Sequence, residues 1–358
     1  MKQQLQGLQE LAQNVQNISE RSKDFIVGTG EMELDFSYTD KKPFLSTPEG
    51  QFDLESTALN QIADHTEIPR KYFNRMLNTP QANTLLSENV NHWFRSNKTD
   101  RMVRTLVDDA NSTARAFLSD RYRRIDNHQI LEGVLPAFMD MPDVKFHSLA
   151  LTDNNMYIKA ILPRIEAEVK VGDVVNAGVF LRNSEVGLGA VHVGMFVYRR
   201  ICSNGMNVLD ASSRTNHVGS RISNTEGAYE IYSDETIMAD DKALMLKISD
   251  HVRNASNELS FNKAVNKMRD LADSPRMADP VGSVRELGKK FAITEGEQKS
   301  VMQHLIEGGD LSAYGMLNAV TRTSQDISSY ERATEFETIG GKILEMGNSD
   351  WKEMALAS

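Results

Sequence analysis

Residues 174–208, VVNAGVFLRNSEVGLGAVHVGMFVYRRICSNGMNV, form the longest strand-like tract of the chain. β-Branched and aromatic residues fill runs of strand length, and RNSEVG and SNG break them with turn residues. Upstream, KFHSLALTDNNMYIKAILP (145–163) reads as two more strands around a TDNN turn, because Asp and Asn tolerate turn dihedrals. RMVRTLVDD, TARAFLSD and YRRID read as short strands joined by Asp, Asn and Ser turns. A chain so built must place a sheet at its centre.

Helical patterns flank that centre. Leu5, Leu8, Leu11, Val15 and Ile18 recur at spacings of three and four, one apolar face that needs a core or a neighbouring subunit to cover it. STALNQIADHTEIPRKYFNRML holds two helices, with Ser56 as N-cap of the first and Pro69 starting the second. From residue 236 onward six further segments carry helical spacing. The expected fold is α+β: a central, curved, mostly antiparallel sheet with helical N- and C-terminal parts. The expected division is a helical and extended region over 1–95, a sheet core over 96–222 and a helical region over 223–358.

Charge narrows the function. The chain carries 40 Lys and Arg against 50 Asp and Glu, a net charge of −10. Yet residues 95–124 hold eight basic and four acidic residues, whereas residues 1–60 hold five and ten. Positive charge gathers in the middle, and a partner feels the local field more than the total. In ARAFLSDRYRRID (114–126), Arg115, Arg121, Arg123 and Arg124 crowd around Tyr122. Read as a strand, DRYRRI puts Arg121 and Arg123 on one face and Tyr122 and Arg124 on the other. In VYRRICSNGM, Tyr198 and Arg200 share a face opposite Arg199. Arg182 precedes that hairpin, and Arg214 and Arg221 follow it. Arginine forks onto phosphate and an aromatic ring offers a stacking face, so these eleven residues are the expected nucleic-acid contacts.

Catalytic patterns are missing. GLGAVHVG (187–194) is glycine-rich, but no helix follows to cradle a phosphate, so neither a nucleotide loop nor triphosphatase activity is expected. The eight histidines are scattered without metal-ligand spacing, and His192 reads as a core or inter-strand residue. Cys202, the single cysteine, excludes a disulfide framework and reads as a small buried residue ending a strand. Asp108–Asp109 and Asp240–Asp241 read as surface or capping pairs. No cofactor and no metal are expected. No apolar run approaches the roughly 20 residues needed to span a bilayer, so no membrane partner is expected and a cytoplasmic location is.

RAFLSDRYRRIDNHQIL, then NSEVGLGAVHVGMFVYRRICSNGM, then LNAVT resemble, in that order, a domain-of-unknown-function family of phage- and plasmid-encoded proteins. The likeness covers roughly 50–330 and implies a mobile element in a bacterial host. A hairpin-rich curved sheet with packed helices is also similar, in fold alone, to phage single-strand annealing proteins of the Red-beta, RecT and Erf kind. That resemblance implies a homo-oligomeric ring or filament holding single-stranded DNA without nucleotide hydrolysis. Three functions follow as expectations. The first is a non-catalytic DNA-metabolism protein that binds single-stranded DNA, promotes annealing or recombination, assembles through its terminal helices and meets host or phage replication or recombination proteins. The second is an acidic interaction or inhibitor protein acting on a host defence or replication factor. The third is an enzyme with no signature visible in sequence.

Overall fold

The computed structural model describes residues 7–37, 42–108, 112–208, 214–215, 234–347 and 350–351. Helix α1 (Leu8–Arg21) leads into β1 (Ser22–Gly28), followed by β2 (Glu33–Phe36), β3 (Pro43–Thr47) and β4 (Gly50–Leu54). Helices α2 (Ser56–His65), α3 (Arg70–Leu77) and α4 (Asn83–Ser96) precede β5 (Asp100–Leu106) and β6 (Thr113–Ser119). Helix α5 (Asn127–Met139) opens a second run of strands: β7 (Lys145–Leu151), β8 (Met156–Lys170), β9 (Asp173–Asn183), β10 (Val191–Arg199), β11 (Asn204–Val208) and β12 (Arg214–Thr215). Six helices follow: α6 (Asp234–Ala255), α7 (Glu258–Ala272), α8 (Pro280–Phe291), α9 (Glu295–Gly308), α10 (Ala313–Thr323) and α11 (Tyr330–Leu344).

The fold is α+β, as the pattern predicts, and its sheet core comprises two sheets. The first has the order β1-β5-β6-β4-β3-β2, antiparallel throughout except for the parallel β4–β6 pair. It joins strands from residues 22–54 to strands from residues 100–119 and packs on α2, α3 and α4. The second is an antiparallel meander, β11-β10-β9-β8-β7, with β12 also paired to β10. Its TDNN turn forms as expected: the Thr152 N–H donates to the Asn155 carbonyl at 2.9 Å, and the Thr152 hydroxyl accepts from the Asn155 N–H at 3.0 Å.

Alternation along β9 explains how one sheet serves two cores. Val175, Ala177, Val179 and Leu181 are on one face by the strand period. Val175 and Ala177 pack with the C-terminal helices, and Val179 and Leu181 pack with α1, α5 and α6. Phe180, on the other face, joins Tyr157, Phe196 and Tyr330 under α11. Buried Lys159 pins α11 there, pairing with Glu337 at 2.5 Å. The α1 stripe is covered within the chain: Leu11 and Val15 are buried against the α5 and β7 side chains. Leu8 and Ile18 of the same stripe are half-buried, and Leu5 lies outside the described residues.

The loop between β9 and β10 leans on β6. Gly187 has φ of +77°, and a Cβ there would lie 2.4 Å from Leu118 Cδ2. Gly187→Ala should therefore cost more than the about 1–2 kcal/mol of left-handed backbone alone. Gly296, in α9, faces open space, and Gly296→Ala should stabilise by up to about 1 kcal/mol. Urea melts of the two variants beside wild type measure both effects.

Candidate functional site

Most of the predicted arginines turn out to face carboxylates of their own chain. Asp120–Asp126 is a turn and an irregular connector between β6 and α5, not a strand. The Tyr122 N–H closes that turn on the Ser119 carbonyl at 3.0 Å, and the expected alternation of faces is lost. Arg123 is clamped by Asp240 at 2.8 Å and Asp241 at 2.7 Å, so that pair on α6 holds a cation rather than facing solvent alone. Arg124 is more than half exposed and stands 3.8 Å from Asp24. Tyr122 packs with Met102, Ala116, Leu118 and Val186 and donates to the Ser184 carbonyl at 3.2 Å. Burial pushes its phenol up, and its ring is half-buried against those side chains. Arg121 is exposed, and its side chain has no partner among the described residues.

The second group lies elsewhere. Arg199 ends β10 and grips Asp173 through two bonds of 2.7 Å each. Burial opposes its charge, but the bond to Asp173 and the charges around it raise its pKa. Arg200 lies in the turn after β10, not on the strand face of Tyr198, and pairs with Glu166 and Asn176. Tyr198 rests against the His147 ring at 4.8 Å. Cys202 is half-buried in the same turn rather than buried at a strand end, and its Sγ accepts from Arg199 at 3.1 Å. Arg182 stands opposite His192 in the ladder and Arg199 opposite Val175. Seven residues of β10 separate those rungs, about 24 Å at ~3.4 Å per residue, so Arg182 and Arg199 do not share one patch. The Arg214 backbone pairs with His192 in β12. Arg221 lies outside the described residues.

Arg115 leads to a junction that sequence reasoning missed. It is buried in β6, donating to Glu185 Oε2 at 3.0 Å and to Ser22 Oγ at 3.1 Å. Glu185 Oε1 accepts the Asn127 N–H at 2.7 Å, at the start of α5. Beside it Arg104, 1% exposed in β5, donates to Asp24 at 3.1 Å, Asp126 at 2.7 Å and the Glu185 carbonyl at 2.8 Å. Burial disfavours the Arg104 charge, yet Asp126, Asp24 and Glu185 together raise its pKa. An arginine inside the buried run Met102–Thr105 was the available signal, because arginine is almost never fully buried unless paired.

Two cavities adjoin this region. The smaller, about 240 Å³, is bordered by Asn14, Asn17, Glu55, Arg115 and Asp153. Burial raises the Glu55 pKa, Asp153 adds to the rise, and Arg115 opposes it. The larger, a groove of about 600 Å³ between the second sheet and α11, is bordered by Tyr157, Phe180, Arg182, His192, Arg332 and Lys342. Arg182 donates to Asn155 Oδ1 at 2.9 Å and to the Leu188 carbonyl at 3.0 Å, with its guanidinium 6.0 Å from the Tyr157 ring centroid. Gly189 makes room for it, since a Cβ there would lie 2.9 Å from Arg182 Nη2. Across the groove, Arg332 bonds Glu297 through two 2.7 Å contacts. Lys342 has no ion pair among the described residues and approaches the Phe291 ring at 5.9 Å. Among the described residues no group of three or more His, Cys, Asp and Glu side chains is placed to hold a metal ion, and no helix is long and apolar enough to cross a membrane.

Comparison with protein families finds a match over residues 115–335 to a domain of unknown function, DUF932. The chain belongs to the DUF932 family. No curated protein and no solved structure matches it. The DUF932 region begins at Arg115 itself and takes in the second sheet, the helices α5 to α10 and the first six residues of α11. It therefore holds Arg115, Asn127 and Glu185 of the junction and nearly all of the groove, while Arg104 and Asp24 come from the part of the chain before it.

Removing one partner of a buried pair strands the other charge. Glu185→Ala should cost about 3–5 kcal/mol in urea melts. Glu166→Ala, which frees half-exposed Arg200, should cost no more than about 1 kcal/mol. Acid adds a second check. The bond from Arg332 chiefly holds the Glu297 carboxyl at about 2, below its ordinary 4.5, against the opposing effect of burial. A folded-state value below the unfolded one gives stability that is complete above about 4.5 and fades as pH falls toward 2. Glu297→Gln should flatten that acid arm, read from melts at pH 6 and pH 3.

Proposed function

We propose that this DUF932 protein is a non-catalytic DNA-metabolism protein of a phage or plasmid that binds single-stranded DNA along the groove between β8–β10 and α11. The observation that carries the reading is Arg182. Unlike Arg115, Arg123, Arg199 and Arg200, it faces no carboxylate among the described residues; an amide and a carbonyl hold it at the edge of the groove. A guanidinium fixed by neutral acceptors keeps its charge for an anion, and its fork suits a phosphate. Arg332 and Lys342 line the opposite wall, so a backbone in the groove would meet cations on both sides. Glu331 and Glu335 also line it, but Glu331 accepts from Thr152 and Asn155, and Glu335 pairs with Arg332. The proposed contact is thus narrower than the eleven-residue set, and of those eleven Arg182 borders the groove. Annealing would follow from neutralised backbones and presented bases, with no covalent step and no cofactor. A homo-oligomer would multiply weak contacts along one strand.

One observation favours a second reading, an acidic protein that engages a host defence or replication factor. Each internal arginine pair uses one acid for one base, so the excess of ten acids behind the net charge of −10 is left over from such pairing. Salt dependence separates the two. Each lost phosphate contact flattens the slope of log affinity against log salt by about 0.7 for single strands. Arg182→Ala with Lys342→Ala should flatten it by about 1.4 while the fold persists. Arg123→Ala should lower the melting temperature and leave the slope alone. A wild-type protein that binds neither single- nor double-stranded DNA at low salt contradicts the DNA reading and leaves the acidic interaction protein.

A further inference from the structure

The smaller cavity differs in kind from the groove, and Asn155 borders both. Asn155 is buried, accepts from Arg182 and donates to Glu331 at 2.9 Å, so the TDNN turn is the wall between the two spaces. At about 240 Å³ the cavity holds roughly eight waters at ~30 Å³ each, room for a single heterocycle rather than a nucleotide. Its lining is sorted. Ile18, Leu106 and Leu151 give apolar surface for ring faces, and Asn14, Asn17, Glu55, Arg115 and Asp153 give polar groups for a ring edge.

Two of those groups, Arg115 and Glu55, have hydrogen-bonding capacity left over. Arg115 is 5% exposed and borders the cavity; each terminal nitrogen donates one N–H, to Glu185 and to Ser22, and keeps a second, while its Nε is enclosed without a partner. Glu55 sits at the N-cap of α2, but its side chain makes no cap bond. A carboxylate takes two parallel N–H donors, and a guanidinium N–H takes a carbonyl. Among the four DNA bases only guanine presents that edge, with N1–H and the N2 amine adjacent and O6 beside them.

We infer that this cavity receives a guanine base, its N1–H and N2 amine on Glu55, its O6 toward Arg115 and its ring between Ile18 and Leu151. The inference rests on the single-strand reading for its source: a base extruded past the TDNN turn from a strand lying in the groove. Extrusion is how proteins read a base they cannot reach in a stack. The same chemistry would take free guanosine, so both sources are tested.

The full-length protein is titrated with an all-thymidine strand, the same strand with one central guanine, and one with inosine there, which lacks the N2 amine. Guanosine alone is tested by equilibrium dialysis. The central guanine should tighten binding about tenfold, within the range of one bidentate base contact, and inosine should lose most of that gain. Glu55→Gln and Asn17→Trp, the latter at an exposed residue of the rim, should abolish the guanine preference and leave thymidine-strand affinity and its salt slope intact. Strand binding with no guanine preference and no guanosine retention overturns the cavity assignment and leaves the groove reading standing. Guanosine retention lost in Glu55→Gln, without binding of any strand, keeps the cavity as a nucleoside site and removes the groove reading. Binding of neither strands nor guanosine removes both.

Discussion

Arg104 is where the two sheets become one body. Its side chain starts in β5 of the first sheet and reaches Asp24 in β1, Asp126 at the head of α5 and the Glu185 carbonyl beyond β9 of the second sheet. A guanidinium at 1% exposure stays charged only because three acceptors surround it. Arg115 repeats the device one strand over, with Glu185 as the shared partner. Glu185 therefore serves both arginines: its carbonyl holds Arg104, and its carboxylate holds Arg115 and the first N–H of α5. Neither sheet can shift against the other without leaving a charge unpaired and dry. That constraint fixes the loop between β9 and β10, on which Arg182 and one wall of the groove depend.

The same economy explains the arginine-rich signature. An acidic chain that buries arginines needs acids to meet them, and the acidic flanks supply them: Asp24 before the sheet core, Asp240 and Asp241 after it. A high local count of basic residues therefore describes an interior junction as much as a surface. Net field at a surface depends on which cations lack such partners, and Arg121, Arg182 and Lys342 are of that kind.

Helices were legible because their evidence is local. The Leu8–Ile18 stripe and the Pro69 that leads into α3 each lie within a few residues of what they specify. The TDNN hairpin was legible for the same reason. The site was not, because its contacts are distant in sequence. Arg123 meets an acid 118 residues away, and Arg104 meets Asp24 80 residues away. The groove needs Arg182 from β9 and Lys342 from α11, and no periodicity in either segment announces the other. Local reading also failed: DRYRRID has residue types that suit a strand, but the Ser119 carbonyl and hydroxyl capture the following N–H groups and turn the chain, and α2 is capped by Glu55 rather than Ser56.

The claim on which this structure most depends is that Arg104 couples the sheets. Native-state hydrogen exchange on Arg104→Met measures it directly, because methionine keeps the bulk and removes the charge. Protection should fall together in β1 and β5 of the first sheet and in α5 and the 184–190 loop beside the second. A loss confined to β1 and β5, with α5 and the 184–190 loop as protected as in wild type, would contradict it.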